Sequence, residues 1–449
     1  MKIIKVECAG SGKTYGIANS ISEEYSTGNN SKKIIAITHT NNAVFQIKNE
    51  VIKQIGFIPE NVIVETTDTF LLHNVIYPYS KYILSNNYIS CSICQLPSDI
   101  KFANFIKSVM KSENTLHSSE INSKVKAILV PKKSDSKLLK KKKEIVRELF
   151  FSSIKSIYID EIQDLDENGF EILDFLFTSD VNLYCVGDFR QALRYPKTFY
   201  DYINNCSNEK WSIENKTESR RVPISNLNLT NKLFEKKYEC TNCNNTIGMI
   251  TYSYADESFI DKYIKYFDLT YIKEKNDIFL TSAKKDNSFF TRNEREFISQ
   301  NFQGDSDIFI SAFISEYKTL LSKGLTNKAA LNVLQRKYNL PNFDRTLYAK
   351  LCNINNEIEQ MDNNVVVKSI ESIKGLEADK CMFIINNSLM NILLGNNSFN
   401  KETNLLYVAL TRSKEHLHIL VLKECIEKYS KEIIDNFMRE NNIDVFEIK

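Results

Sequence analysis

The stretch that most constrains this chain is Ala9-Gly10-Ser11-Gly12-Lys13-Thr14, which follows the apolar run Ile3–Val6 and precedes a helical pattern. Glycines at such a strand-to-helix junction let backbone N–H groups turn inward around phosphate oxygens. The helix N-terminus behind them adds a favourable dipole. In this loop Gly10, Ser11 and Gly12 form the cradle, Lys13 reaches the β- and γ-phosphates, and Thr14 holds Mg²⁺. The first glycine position of the longer motif is Glu7, whose charge must point away from bound phosphates. After Thr14, Ile17, Ala18, Ile21 and Tyr25 fall on one helical face, as the helix requires.

A second apolar run ends in carboxylates, Ile157-Tyr158-Ile159-Asp160-Glu161-Ile162-Gln163-Asp164. Adjacent acids at a strand end behind a phosphate loop suit metal holding by Asp160 and water activation by Glu161. Further short apolar runs at Ile34–Thr38, Val62–Glu65 and Leu183–Gly187 alternate with helical periods. So do Met249–Tyr252, Ile278–Leu280, Val365–Lys368, Met382–Ile385 and Leu417–Leu422. Buried parallel strands joined by helices give this pattern, so the expected class is α/β. Two strand-poor stretches interrupt it, at 71–149 and 286–362. In the second, Phe309, Phe313, Tyr317, Leu320 and Leu321 recur at helical spacing.

Composition bounds the function. The 449 residues carry a net charge of +2, which argues against binding nucleic acid by bulk charge alone. The balance is uneven, however. Ile121 to Arg147 nets +8, leaving −6 for the remainder. The lysine run 140–143 reads first as a solvated helix face or loop, and otherwise as a phosphate-contacting arm. No apolar window reaches the length of a membrane span, and Met1 leads straight into a strand. The expectation is therefore a cytoplasmic protein without membrane contact. Cys91-x₂-Cys94 and Cys240-x₂-Cys243 have zinc-ligand spacing, with ordinary thiols the first reading and a shared site the alternative. His416 and His418 share one face of a strand and read as strand surface rather than as a metal site.

Asp160-Glu161-Ile162-Gln163-Asp164 resembles the DExQD box of the UvrD/Rep-like superfamily 1A DNA helicases, and further stations follow in that family's order. Ile37-Thr38-His39-Thr40-Asn41-Asn42-Ala43 resembles motif Ia, and Thr66-Thr67-Asp68-Thr69-Phe70 the next DNA-contacting segment. Val186-Gly187-Asp188-Phe189-Arg190-Gln191 resembles motif III, and Ser219-Arg220-Arg221 motif IV. Ser369 to Glu377 resembles motif V, and Leu405 to Arg412 motif VI. In scale the chain is similar to compact members of this class found in anti-phage defence; DNA repair is the other context the family suggests.

The resemblance implies two RecA-like parallel-sheet P-loop cores with helical insertions. The first core (1A) is expected at 1–70 and 150–215, with a basic 1B-like insertion at 71–149. The second (2A) is expected at 216–285 and 363–449, with a reduced 2B-like insertion at 286–362. It implies ATP and Mg²⁺ between the cores. Glu161, Gln191, Arg221 and Arg412 would be catalytic, Arg220 would lie over the base, and Glu377 near the ribose. Thr38, His39, Asn41, Phe70 and Tyr195 would contact single-stranded DNA. The implied activity is 3′→5′ ATP-dependent translocation and unwinding. The alternative is an NTP-hydrolysing regulatory subunit of a nuclease or effector complex. A small P-loop kinase is disfavoured by the arginines of motifs IV and VI.

Overall fold

The computed structural model describes residues 1–28, 31–206, 210–255, 264–276, 278–281, 297–298, 306–340, 343, 345, 347–352, 365–396 and 399–446. The chain divides into two compact units, Met1–Asp268 with Lys374–Lys449, and Leu269–Ile373.

The larger unit is built on two parallel sheets. The first takes strands β1 (Lys2–Glu7), β2 (Lys33–Thr38), β3 (Val62–Thr66), β6 (Ile154–Ile159), β7 (Asn182–Gly187) and β8 (Ser212–Lys216), in the order β3-β2-β6-β7-β1-β8. Every pairing in it is parallel. Its inner strands are apolar on both faces because helices cover both sides. The edge strand β8, Ser-Ile-Glu-Asn-Lys, is mostly exposed, so its polar composition hid it from periodicity. Helix α1 (Lys13–Ser26) follows β1 and buries Ile17, Ala18 and Ile21. Helix α2 (Asn41–Ile55) follows β2, capped by the Thr40 hydroxyl accepting from Ala43 N–H and ended by Gly56 in the left-handed region.

The stretch expected to be a helical insertion carries α3 (Thr67–Leu71), α4 (Tyr77–Leu84), α5 (Ile100–Ser112), α6 (Ile121–Leu129) and α7 (Lys137–Ser152), with a short parallel pair β4 (Ser90–Ser92) and β5 (Thr115–His117). The lysine run is a helix face of α7. Lys140 and Lys141 are exposed, whereas Lys143 is buried in an ion pair with Asp135 at 2.9 Å. Helix α8 (Glu167–Phe177) crosses from β6 towards β7.

After a two-residue pair, β9 (Glu218–Ser219) with β10 (Thr241–Asn242), the larger unit forms its second sheet. There β16 (Ala378–Ile385), β17 (Ser413–Val421), β11 (Met249–Tyr254) and β18 (Asp444–Val445) lie side by side in that order, all parallel. The expected α/β architecture of two parallel-sheet cores is therefore present.

The smaller unit holds two parallel pairs, β12 (Leu269–Ile272) with β15 (Lys368–Ser369) and β13 (Phe279–Leu280) with β14 (Val365–Val366). It also holds the helices Ser306–Ser322 and Asn327–Lys337, which bury Phe313, Tyr317, Leu331 and Leu334 together. Residues 286–296, 299–305 and 353–362 of the expected second insertion lie outside the described residues.

One expectation is overturned. His416 and His418 do share a face of β17, but that face is buried rather than strand surface. Both accept or donate to the Thr251 hydroxyl, at 2.7 and 3.0 Å, and His418 also meets Ser253 at 2.9 Å. Pairing of β11 with β17 brings these hydroxyls alongside, so both ring nitrogens of His418 and Nε2 of His416 find partners, while His416 Nδ1 stays buried without one. Burial pushes His416 down to about 4 and His418 to about 3, helped by Lys380 and by His416 respectively. The unfolded chain takes these protons near 6.5 and the fold does not. Stability is therefore full above pH 6.5 and declines as pH falls, by about 1.4 kcal/mol per pH unit for each histidine. Urea midpoints should drop between about pH 7 and about pH 5.5, and His418→Asn should flatten the slope. An unchanged slope in that variant would contradict the assignment.

Candidate functional site

The loop after β1 is held open by backbone conformation and by its neighbours. Gly10 and Gly12 both have positive φ, +75° and +90°. A Cβ on Gly10 would meet Arg221 Cβ and Ser219 Oγ, each at 2.7 Å, so only glycine fits under that segment. From above, the Ser219 hydroxyl donates to Ala9 O at 2.8 Å and Arg220 N–H to Gly10 O at 2.9 Å. Ala9 N–H donates to the Tyr407 hydroxyl at 3.1 Å. Gly12 caps α1 without any side-chain acceptor, unlike α2, α7 and α8. The first N–H groups of α1 are thus left for an anionic ligand. Glu7, placed where phosphate would be repelled, accepts from Ser11 Oγ at 2.8 Å and faces Lys216 at 3.6 Å. Its charge is neutralised beneath the loop.

The acidic strand end lies beside this loop. Asp160 is buried, and its Oδ1 accepts from Glu161 N–H at 2.9 Å. Glu161 sits in the left-handed region, φ 57° and ψ 40°, a strain of about 1–3 kcal/mol for a non-glycine residue. Lys374 fixes it there: its ammonium lies 2.5 Å from Asp164 Oδ2 and 3.6 Å from Glu161 Oε2. Gln163 donates to the same Glu161 oxygen. Burial opposes ionising Glu161, but the ammonium groups of Lys374 and Lys13, with the Gln163 bond, outweigh it and hold the carboxyl at about 2. Burial and the Glu161 charge push Asp160 the other way, up to about 7. The pair therefore separates into an ionised glutamate and an aspartate that burial and its neighbour's charge hold towards the neutral form, against the pull of Lys13 and Lys374.

A divalent cation beside Asp160 would favour its ionised form further. Mg²⁺ takes few protein oxygens and completes its shell with water and phosphate, so Asp160 and the Thr14 hydroxyl fit it. Among the described residues no three His, Cys, Asp or Glu side chains gather into a dedicated metal cluster.

Motif-III residues knit the two sheets together. Asp188 accepts from Arg190 Nε at 2.6 Å, from Gln191 Nε2 at 3.0 Å and from the Tyr407 hydroxyl at 3.1 Å. Asn404 donates to Phe189 O and Ala192 O at 3.1 and 2.9 Å. Arg190 also donates to Cys240 Sγ at 3.0 Å, and Cys240 is buried here as a thiol.

One cavity of about 1060 Å³ collects most of the expected site. Gly10, Ser11, Gly12, Lys13, Thr14, Glu161 and Gln191 line it from the first sheet's side. Arg220, Arg221, Glu377 and Arg412, all from beyond β8, line it as well. Arg221 Nη1 donates to Glu377 Oε2 at 2.5 Å, while its Nε is buried without a partner. Arg412 is tied to its own core, donating to Val408 O at 2.9 Å and Leu376 O at 3.2 Å.

The expected DNA contacts scatter. Asn41 is exposed, Tyr195 is half-buried beneath the Arg194 guanidinium, and His39 meets Asp164 O at 3.3 Å. Thr38 is fully buried. Phe70 corrects the expectation outright: it is 2% exposed in the hydrophobic core, with Phe150 6.2 Å away, and reaches no surface. Sequence reasoning missed Lys374, Asp188, Asn404 and Tyr407. Lys374, Asp188 and Tyr407 stood inside quoted motifs, but their partners depend on tertiary pairing.

The chain matches a family model described as an AAA domain over residues 3–196, and one described as a viral superfamily 1 RNA helicase core domain over residues 316–421. It is also similar to the Gabija protein GajB of Bacillus cereus (strain VD045), 27% identical over 212 residues. That stretch is 44% of this chain and spans only 40% of the relative's length. Each family model matches a separate segment that makes up less than half of the chain.

Replacing Lys374 with Met should lower kcat for ATP at least several-fold near neutral pH. It should also move the acid limb of the kcat–pH profile upward, because Glu161 loses the cation that keeps it ionised. An unshifted profile would separate Lys374 from Glu161.

Proposed function

We propose that this protein is an ATP-driven motor of the UvrD/Rep-like type that moves 3′→5′ along single-stranded DNA. The supporting observation is the shared cavity, which Lys13, Thr14, Glu161 and Gln191 line together with Arg221, Glu377 and Arg412; in this reading the last three residues belong to the second core. Such a site completes its charge stabilisation only when both halves face the nucleotide, so hydrolysis is coupled to relative motion of the cores.

In this reading the Gly10–Thr14 loop takes the phosphates, Arg220 lies over the base and Glu377 near the ribose. Mg²⁺ held by Thr14 and Asp160 neutralises charge on the phosphate oxygens. Glu161, ionised and fixed by Lys374, accepts the proton of the attacking water. Gln191, braced on Asp188, senses the γ-phosphate. Arg221 and Arg412 stabilise the transferring group, Arg412 after release from its backbone carbonyls. The strand passes His39, Asn41 and Tyr195. The domain division is 1–70 with 150–215, and 216–285 with 363–449, carrying insertions at 71–149 and 286–362.

The second reading is a regulatory NTPase that works with a protein partner such as a nuclease in anti-phage defence, with little unwinding of its own. The likeness to the Gabija protein favours it. So does the length between Val222 and Asn364, 143 residues, which is short for a full accessory domain.

ATPase turnover with and without single-stranded DNA, paired with displacement of strands bearing 3′ or 5′ tails, separates the two. The motor predicts at least about 10-fold stimulation and displacement from 3′ tails. DNA-independent turnover would overturn it in favour of the regulatory reading. Lys13→Ala and Arg412→Ala should each abolish turnover; full activity in either would refute the site.

A further inference from the structure

The phosphate loop is also tied from below. Glu7 and Ser11 are each 1% exposed, and the Ser11 hydroxyl donates to Glu7 Oε2 at 2.8 Å. Ser11 N–H turns the same way, donating to Cys8 O at 3.3 Å. From the end of the edge strand β8, the Lys216 ammonium comes within 3.6 Å of the same Glu7 oxygen. A buried carboxylate stays charged only with partners of this kind.

The register of β8 on β1 builds the arrangement. Parallel pairing sets Lys5 opposite Glu214 and Glu7 opposite Lys216. Both pairs close to 3.6 Å. Residues two apart on a strand share a face, so ion pairs of alternating polarity form a short ladder there. Sliding β8 by two residues would set Glu7 opposite Glu214, and like charges disfavour that slip. The ladder thus places a cation beside Glu7 on a strand with little apolar content to fix its register.

The upper ties on the loop come from Ser219, Arg220 and Tyr407, all outside the first sheet, whereas Glu7 and Lys216 are residues of that sheet. In the motor reading the upper ties change as the second core moves, and the lower ones stay. We propose that Glu7 is a positioning residue for the nucleotide: its carboxylate holds Ser11 and keeps the cradle in shape, while Lys216 supplies the cation that lets an anion stand beneath a triphosphate without repelling it. This rests on the nucleotide site of the motor reading and adds a determinant of nucleotide affinity to it. A glycine at position 7 would avoid the repulsion, but it would leave Gly10 and Gly12, both at positive φ, without a brace inside the first sheet.

The test is fluorescence titration of the full chain with ribose-labelled ATP and Mg²⁺, alongside kcat and KM for ATP. Glu7→Gln keeps an acceptor for Ser11 and should bind within about 3-fold of wild type, whereas Glu7→Ala should bind about 10-fold more weakly, with KM changed more than kcat. If thermal melting shows Glu7→Ala unfolded, Ser11→Ala removes the same bond from the loop side and carries the same expectation. Lys216→Met should weaken binding about 3- to 5-fold. Adding Glu7→Gln to it should restore the affinity of Glu7→Gln alone. A loss that persists in this double variant would show that Lys216 attracts the phosphates directly, and would overturn the proposal. So would equal weakening by Gln and Ala at position 7, or wild-type binding once the Ser11 bond is removed. Those outcomes leave the nucleotide site standing; a wild-type chain that binds no ATP, or a Lys13→Ala variant that binds it as well as wild type, would bring down the site and the anchor together.

Discussion

The contact on which the site depends is Lys374 against Asp164 and Glu161. It joins a lysine just before strand β16 of the second sheet to the acids that follow β6, a central strand of the first. Without that ammonium, two adjacent buried carboxylates would compete for one proton, as like charges in a low-dielectric site do. With it, the glutamate stays charged, while burial and that charge hold the aspartate towards its neutral form. One side chain thus assigns different roles to neighbouring acids and makes the assignment conditional on the position of the second core.

The phosphate loop is conditioned in the same way. Its backbone is held by Ser219, Arg220 and Tyr407, all from beyond the first sheet's central strands. Tyr407 also bonds Asp188, which braces Gln191. A shift of the helix Lys401–Leu410 would therefore reach the loop, Gln191 and the Arg190 pair together. Coupling of this sort runs through hydrogen bonds with discrete alternatives, as the proposed motor requires.

Much of this was legible in the sequence because local patterns carry it. The loop Gly10–Thr14 and the strand ending at Asp160 need only strand, turn and helix periodicity. Tertiary context supplied the rest. Strand β8 was invisible because an edge strand can be polar. His416 and His418 read as surface because polar residues on a strand look exposed until Thr251 and Ser253 pair with them. Phe70 read as a DNA contact by its motif position, yet its ring packs beside Phe150. Lys374 lay in a motif, but nothing local tells that its partner is 210 residues away.

The most direct measurement is a double-mutant cycle on single-turnover ATP hydrolysis with Lys374→Met and Asp164→Asn. If Lys374 acts through the first core's acids, the double variant should lose little more than the worse single one, a coupling of about 1 kcal/mol or more. Strictly additive losses would contradict the claim that this bridge organises the site.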